Sequence, residues 1–153
     1  MKVKKSEFRK ALKQSPNIKL NKKQGYVTNG LFLIKITQEM VSVIFEVKGD
    51  VEDNFDFDDL IKSLASDPKQ KNIAIKDTSM LLKNKALLRI YNIKDQYMFA
   101  NEMFVKLFDS VEHPILESKS TYSPIIISNS AGMFQGIVLP VRMPEVPKYL
   151  KMV

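Results

Sequence analysis

Cysteine is absent from this chain of 153 residues, histidine occurs once, and only five glycines and seven prolines are present. Without cysteine, the chain has no thiol nucleophile, disulfide, iron–sulfur cluster or zinc knuckle, and one histidine cannot build a histidine-based metal cluster. The low glycine and proline content excludes collagen-like and low-complexity chains. The sequence therefore predicts one ordinary globular domain over 1–153, with no cofactor.

Long hydrophobic runs are also missing. The longest, 31–34 and 124–127, are far shorter than the roughly 18 residues that a membrane span requires. The basic start of the chain is followed by no apolar stretch of signal-peptide length. These features predict a cytoplasmic protein that does not associate with membranes.

Positive charge is what the sequence has in excess, with 24 Lys and Arg against 17 Asp and Glu and a formal net charge of +7. This balance permits a polyanionic partner such as nucleic acid. No Walker sequence, dinucleotide fingerprint or nucleophile elbow occurs, so we expect the protein not to be an enzyme. The acidic stretch 50–58 does not match a calcium loop, because Phe55 stands where glycine is needed and Ile61 where a glutamate belongs.

Hydrophobic spacing predicts short helices alternating with antiparallel strands. A strand at Val3 precedes a helix that Ser6 caps, and Phe8, Ala11 and Leu12 form its apolar stripe. Two further helices are predicted over 59–65 and 100–111. Alternation, β-branched residues and the Asn29-Gly30 turn predict the strands. These strands are 18–20, 26–28, 31–37, 40–47, 72–77, 80–83, 86–92, 123–128 and 136–143.

This order of elements predicts an α+β fold in which antiparallel sheets carry helices on one face. The order of strand, helix and strands occurs twice, which predicts two pseudo-duplicated halves, 1–48 and 49–92. An added helix and a C-terminal hairpin then occupy 93–143, and 144–153 form a tail.

The end of the last hairpin carries a resemblance to a known family. Residues 136–143 read Gly-Ile-Val-Leu-Pro-Val-Arg-Met after a hydrophobic strand, which resembles the close of the bacterial DNA polymerase sliding clamp, the β-type processivity factor. The turn at 25–31, the second helix at 57–65 and the strands over 72–91 resemble clamp elements in the same order. The resemblance implies a DNA-clamp-like fold and a non-enzymatic processivity factor. It also implies that the partners are double-stranded DNA and a DNA polymerase or other replication protein.

The resemblance further implies a homo-oligomer, because clamps close a ring from six such domains and this chain has room for one. Two other functions stay open. One is a small phage- or plasmid-type interaction protein of the same fold, which binds or inhibits a protein partner without encircling DNA. The other is a sequence-neutral binder of single strands, which stacks bases on exposed aromatic side chains.

Two basic clusters are candidates for contact with DNA phosphates. The first lies on the outer side of the first helix, which the resemblance places along a pore, and the second surrounds the predicted helix over 59–65. The predicted DNA-binding residues are Arg9, Lys10, Lys13, Lys22, Lys23, Lys62, Lys69 and Lys71, with Lys76 beside the second cluster. A solvated surface is the alternative explanation, because lysine is a common surface residue.

The end of the last strand is the candidate partner site. The resemblance implies that it lines a groove that accepts an apolar peptide of the partner. The predicted partner-binding residues are Leu139, Pro140, Val141, Arg142 and Met143. The alternative is that this strand belongs to the sheet core. Residues 38–45 resemble the short peptide with which partners bind clamps, but their β-branched content predicts a strand inside the fold.

Overall fold

A computed structural model describes residues 1–15, 17–47, 49–64 and 69–143. The helices are α1 (Lys5–Lys13), α2 (Gln38–Glu46), α3 (Asp58–Ser63) and α4 (Glu102–Val105), and the 3-10 turn Lys106–Phe108 continues α4. The strands are β1 (Asn17–Asn21), β2 (Tyr26–Thr28), β3 (Phe32–Lys35), β4 (Asp50–Glu52), β5 (Ile73–Ala74), β6 (Lys76–Asn84), β7 (Ala86–Ile93), β8 (Gln96–Asn101), β9 (Ile115–Ser118), β10 (Ile125–Ser128) and β11 (Phe134–Val138). The predicted α+β class is confirmed.

The described strands form two sheets. The larger has eight strands in the order β4-β1-β2-β3-β11-β10-β9-β5, and the smaller has the order β6-β7-β8. Neighbouring strands pair antiparallel except β4, which runs parallel to β1. Each end of the large sheet is a short strand, and short edge strands limit unwanted pairing with other chains.

Two similar units lie at opposite ends of the described chain. The helix α1 precedes the meander β1-β2-β3, and α4 with its 3-10 turn precedes the meander β9-β10-β11. The units meet where β3 pairs antiparallel with β11, and α1 packs beside α4. They cover 5–35 and 102–138, so they lie at other positions than the predicted halves 1–48 and 49–92.

The central strands β3 and β11 are buried on both sides of the sheet. Phe32 and Ile34 belong to the main core with α1 and α2, whereas Leu33 and Ile137 belong to a second cluster under α3. Side chains alternate along a strand, so α3 covers the opposite face from α1. The prediction that helices lie on one face is therefore wrong.

Residues 40–46 of the predicted strand 40–47 form most of α2 instead, and Val47 is the C-cap of this helix. Met40, Val43, Ile44 and Val47 are buried, and their spacing is that of one helix face. At the start of the chain, Val3 is in no strand, and α1 begins at Lys5 with Lys4 as its N-cap, so Ser6 is not the cap. In α2, burial of one helix face outweighed the preference of the β-branched residues for a strand.

The remaining predictions agree with the structure in part. The second helix, strands β5 to β7 and the final hairpin are present, although residue 65 lies outside the described residues. Strands β4, β8 and β9 were not predicted. The helix predicted over 100–111 corresponds to α4, which starts later than expected. The Asn101 side chain accepts a hydrogen bond from the Met103 N–H at 3.0 Å and caps α4.

The predicted tail, 144–153, lies outside the described residues. In the ranges that the structure does describe, no helix is both long enough and apolar enough to cross a membrane.

Candidate functional site

The outer side of α1 carries the first group of predicted DNA-binding residues. Phe8, Ala11 and Leu12 are fully buried, which leaves Lys10 and Lys13 exposed on the other side. Arg9 donates a hydrogen bond from Nη2 to Glu46 Oε2 in α2 at 2.8 Å, so its charge is already compensated. Lys10 and Lys13 form no ion pair with the described part of the chain.

A cleft of about 510 Å³ collects lysines from three distant segments. Lys10 comes from α1, Lys85 from the turn between β6 and β7, and Lys106 from the turn after α4. Lys10 is one of the predicted DNA-binding residues, whereas Lys85 and Lys106 are not. No local pattern marks them, because the packing of α4 against both α1 and β7 brings the three lysines together.

The cleft is positively charged although two carboxylates line it, those of Glu7 and Glu102. Arg89 binds Glu102 with two hydrogen bonds, Nε to Oε2 at 2.8 Å and Nη2 to Oε1 at 2.6 Å. The charge of Glu102 is thus balanced within the protein. Three lysines remain against Glu7, which gives the cleft a surplus of positive charge.

The other predicted DNA-binding residues do not join this cleft. Lys22 and Lys23 lie in the turn between β1 and β2, where Lys22 Nζ is 5.3 Å from the centroid of the Phe45 ring. Lys62 belongs to α3, which packs on the opposite face of the sheet. Lys69, Lys71 and Lys76 are exposed residues that follow α3 in the chain. The predicted set is therefore distributed over separate surfaces.

The predicted partner segment, 139–143, connects the two sheets. The Leu139 N–H donates to the Leu31 carbonyl at 3.1 Å, and the Val141 N–H donates to the Phe99 carbonyl at 2.7 Å. Met143 packs on the small cluster of Leu88, Ile90 and Phe99. The segment thus contributes to the core through its backbone and Met143, while the side chains of Val141 and Arg142 are exposed.

Leu139 also lines a groove of about 590 Å³ beside α3, which we call the α3 groove. Its apolar lining includes Phe55, Leu60, Leu64, Pro124, Ile137 and Leu139. Of the predicted partner-binding residues, only Leu139 lines it. Of the other apolar lining residues named above, Ile137 belongs to β11, whereas Leu60 comes from α3 and Phe55, Leu64 and Pro124 come from segments that the sequence did not connect with this strand.

Arg142 stacks on Tyr122 beside this segment, with its guanidinium carbon 4.8 Å from the centroid of the Tyr122 ring. Tyr122 is 61% exposed. Its loop is held by the Ser118 hydroxyl, which lies 2.9 Å from the Ser120 carbonyl and 3.0 Å from the Ser123 carbonyl. The loop therefore presents Tyr122 in an ordered conformation.

Phe45 and Tyr122 are the exposed aromatic side chains within the described ranges. Each has a cation over one face of its ring, Lys22 and Arg142 respectively. Binders of single strands stack successive bases on several aromatic rings along a basic groove. Two isolated rings on different elements give that alternative no support.

Comparison with known proteins identifies no relative: no protein-family model, curated protein or solved structure matches this chain. Within the described part of the chain, no three Asp, Glu or His side chains are grouped so that they could hold a metal ion. The cleft and the α3 groove are therefore interpreted from their own geometry and charge.

Proposed function

We propose that this protein is a non-enzymatic, DNA sliding-clamp-like factor that binds double-stranded DNA and a replication protein on separate surfaces. The observation that carries the proposal is the convergence of Lys10, Lys85 and Lys106 on one cleft between α1 and α4. Lysines neutralise backbone phosphates without contacts to particular bases. Such a surface suits a protein that must remain on DNA of any sequence.

The arrangement of the two helix-and-meander units supports a clamp-like fold. Their helices lie side by side, so basic residues of both units, Lys10 and Lys106, face one surface. The apolar faces of the same helices are buried against the large sheet. The sheet then forms the support, and the helices form the surface that contacts DNA.

The α3 groove is the proposed site of the protein partner. It contains Leu139, the first residue of the segment that resembles the partner-binding strand of clamps. Apolar side chains of a peptide gain most of their binding free energy by leaving water in such a groove. DNA and the partner would then occupy opposite faces of the sheet and would not compete.

DNA binding is tested by replacing Lys10 and Lys106 together with glutamine. Each lost phosphate contact should reduce the slope of log affinity against log salt by about one, so we expect a decrease of about two. The matched control is Lys23→Gln with Lys62→Gln, which removes the same charge from other surfaces. An equal loss of affinity in the control would contradict a defined DNA-binding face.

Encirclement of DNA requires several copies, since one chain supplies one domain. Light scattering should find a hexamer, or a smaller species that assembles as the concentration rises. Once loaded on a nicked circle, the assembly should resist a salt wash and be lost when the circle is cut. Retention that does not depend on the circle would exclude encirclement.

A second candidate function is a small interaction protein that binds its partner without encircling DNA. The exposed Tyr122 and Arg142 favour it, because tyrosine and arginine are enriched at the energetic centres of protein interfaces. A monomer whose salt slope is unchanged by the lysine replacements would favour this function over the first.

A further inference from the structure

A further cavity, of about 250 Å³, lies where the small sheet, the large sheet and the turn after α4 meet, and we call it the Tyr91 cavity. Its polar lining residues are Tyr91 and Arg89 of β7, Asp77 of β6, and Asp109, which directly follows the 3-10 turn. The other walls are apolar and include Phe108, Val111, Leu116 and Ile127. One water molecule takes about 30 Å³, so the cavity admits a larger guest.

The Tyr91 hydroxyl has no hydrogen-bond partner in the described part of the chain, although the residue is only 3% exposed. Asp77 lies directly opposite Tyr91 in the pairing of β6 with β7, so the two side chains share one face of the small sheet. Burial raises the pKa of Tyr91, and the neighbouring charges of Asp77 and Asp109 raise it further. A buried hydroxyl without a partner costs free energy, so this group points to a polar ligand atom in the cavity.

The charges that line the cavity leave a negative surplus. Arg89 is already paired with Glu102, and its remaining Nη1 lies 3.5 Å from Asp77 Oδ2. Asp109 forms no ion pair with Lys106 or with any other cation of the described ranges. The carboxylates of Asp77 and Asp109 thus exceed the positive charge here, although the whole chain carries +7.

This sign and this lining select the ligand by its chemistry. An anion would be repelled by the two carboxylates, and within the described part of the chain no three acidic or histidine side chains are grouped to hold a metal ion. A cation with an apolar arm matches both parts of the lining. Lysine-like groups bind in this way, since their hydrocarbon stem lies on apolar surface while the charged end keeps polar partners.

We propose that the Tyr91 cavity binds an aliphatic primary ammonium, such as the end of a lysine side chain of another molecule or a free alkyl amine. The hydrocarbon chain lies against Val111, Leu116 and Ile127. The ammonium has three N–H donors, and it donates to the carboxylates of Asp77 and Asp109 and to the Tyr91 hydroxyl oxygen. These three acceptors come from three different segments, which suits a tetrahedral ammonium better than a planar guanidinium.

Three probes test the proposal by NMR titration of the full chain labelled with ¹⁵N. Butylammonium should shift the amide signals of Tyr91 and Val111 and bind about tenfold more tightly than butanol, which has the same chain without the charge. Butyltrimethylammonium keeps the charge but has no N–H donor, so it should bind more weakly than butylammonium. Equal affinity for butanol and butylammonium would reduce the cavity to an apolar pocket and overturn the proposal.

Two variants assign the binding to its residues. Tyr91→Phe and Asp109→Asn should each weaken butylammonium about threefold and leave butanol unchanged. Tyr91→Phe should keep the fold, because the lost hydroxyl has no partner in the described part of the chain, and the NMR spectrum checks this. The matched control is Asp59→Asn in α3, which removes the same charge on the opposite face of the large sheet. An equal loss in the control would show only general attraction between charges and would overturn the site.

A lysine with both its backbone ends capped distinguishes the two sources of the ammonium. If it binds as tightly as butylammonium, the cavity accepts a lysine side chain of another protein molecule. If butylammonium alone binds, the backbone of lysine is excluded and the ligand is a free amine. Binding of neither, or displacement of butylammonium by an equal concentration of calcium, would overturn the proposal. None of these outcomes depends on DNA binding, because the basic cleft does not include Tyr91, Asp77 or Asp109.

Discussion

Arg89 of β7 donates hydrogen bonds of 2.8 and 2.6 Å to the two carboxylate oxygens of Glu102, the first residue of α4. The Glu102 side chain is only 5% exposed. Asp77 of β6 lies 3.5 Å from the same guanidinium. One arginine therefore fixes α4, and with it Lys106, against the smaller sheet.

The first prediction concerns this ion pair. Glu102→Gln should lower the free energy of unfolding by about 1–2 kcal/mol, because the half-buried Arg89 guanidinium loses its bidentate carboxylate partner and keeps only Asp77. Urea denaturation measures the change. The double variant Arg89→Met with Glu102→Met should recover much of the loss, since the one charge of this group that remains, Asp77, is exposed to water. A double variant as unstable as Glu102→Gln would contradict this explanation.

The second prediction concerns the close approach of β3 and β11. A Cβ on Gly136 would collide with the Leu33 carbonyl and lie 2.7 Å from ring carbons of Phe108. Both neighbours are buried, so Gly136→Ala should destabilise the fold by about 3 kcal/mol. Gly132→Ala is the matched control. A Cβ on Gly132 has no neighbouring atom within 4 Å, and the variant carries only the strain of a φ of +82°. We therefore expect it to lower the free energy of unfolding by about 1 kcal/mol. Thermal unfolding compares them.

A third prediction concerns Asn29, a buried polar residue in the turn between β2 and β3. Its Nδ2 donates to the Ala11 carbonyl at the end of α1, and its Oδ1 accepts from the Leu31 N–H, both at 3.0 Å. Asn29→Ala should cost about 1–2 kcal/mol, because the Leu31 N–H then loses its acceptor and the Ala11 carbonyl keeps only the Gln14 N–H, at 3.2 Å. Asn129→Ala, at a more exposed turn, should cost less in the same denaturation assay.

The fourth prediction is a dependence of stability on pH. Burial, and then the nearby charges of Glu102 and Glu7, raise the pKa of Asp109 above its ordinary value, while Arg89 and Lys106 oppose the shift. The folded protein thus holds this proton more tightly than the unfolded chain does, so its contribution to stability falls as pH rises from about 4 through the raised pKa.

Asp109→Asn removes the loss of stability that comes from ionising this partly buried carboxyl group. We expect the variant to be more stable than the natural protein at pH 7 by about 0.5 kcal/mol or less, because Asp109 is a surface residue. The advantage should disappear near pH 3, where Asp109 is protonated in both states. Urea unfolding across this range measures it, and a difference that is constant with pH would assign the effect to packing.

Much of the fold could be predicted from local pattern. The helical spacing of Phe8, Ala11 and Leu12 located α1, and the Asn29-Gly30 turn located the entry into β3. The prediction was wrong at α2, where the β-branched Val43 and Ile44 favour a strand by composition although their spacing with Met40 fits a helix. Burial on one face decided the outcome there.

The candidate sites were less predictable because they are built from long-range contacts. Lys10 could be identified from its helix face, but Lys85 and Lys106 join it only through packing. Leu139 was identified by resemblance, whereas Leu60, Leu64 and Pro124 reach the same groove from other segments. The placement of α3 follows from the continuous apolar run of β3. A sheet that is covered on one face needs apolar residues only at alternate positions, so a continuous run indicates that both faces are covered.

Because residues 139–143 are hydrogen-bonded on both sides, this segment can report on whether the two sheets stay joined. The Leu139 N–H donates to the carbonyl of Leu31, which directly precedes β3 of the large sheet, and the Val141 N–H donates to the carbonyl of Phe99 in β8 of the small sheet. A peptide bound beside Leu139 would stabilise the state in which the two sheets are joined. By mass action, the sheets would then separate less often, to an extent set by the binding free energy of the peptide. Occupancy can then be followed without a label, as slower exchange of the Val141 amide with deuterated water.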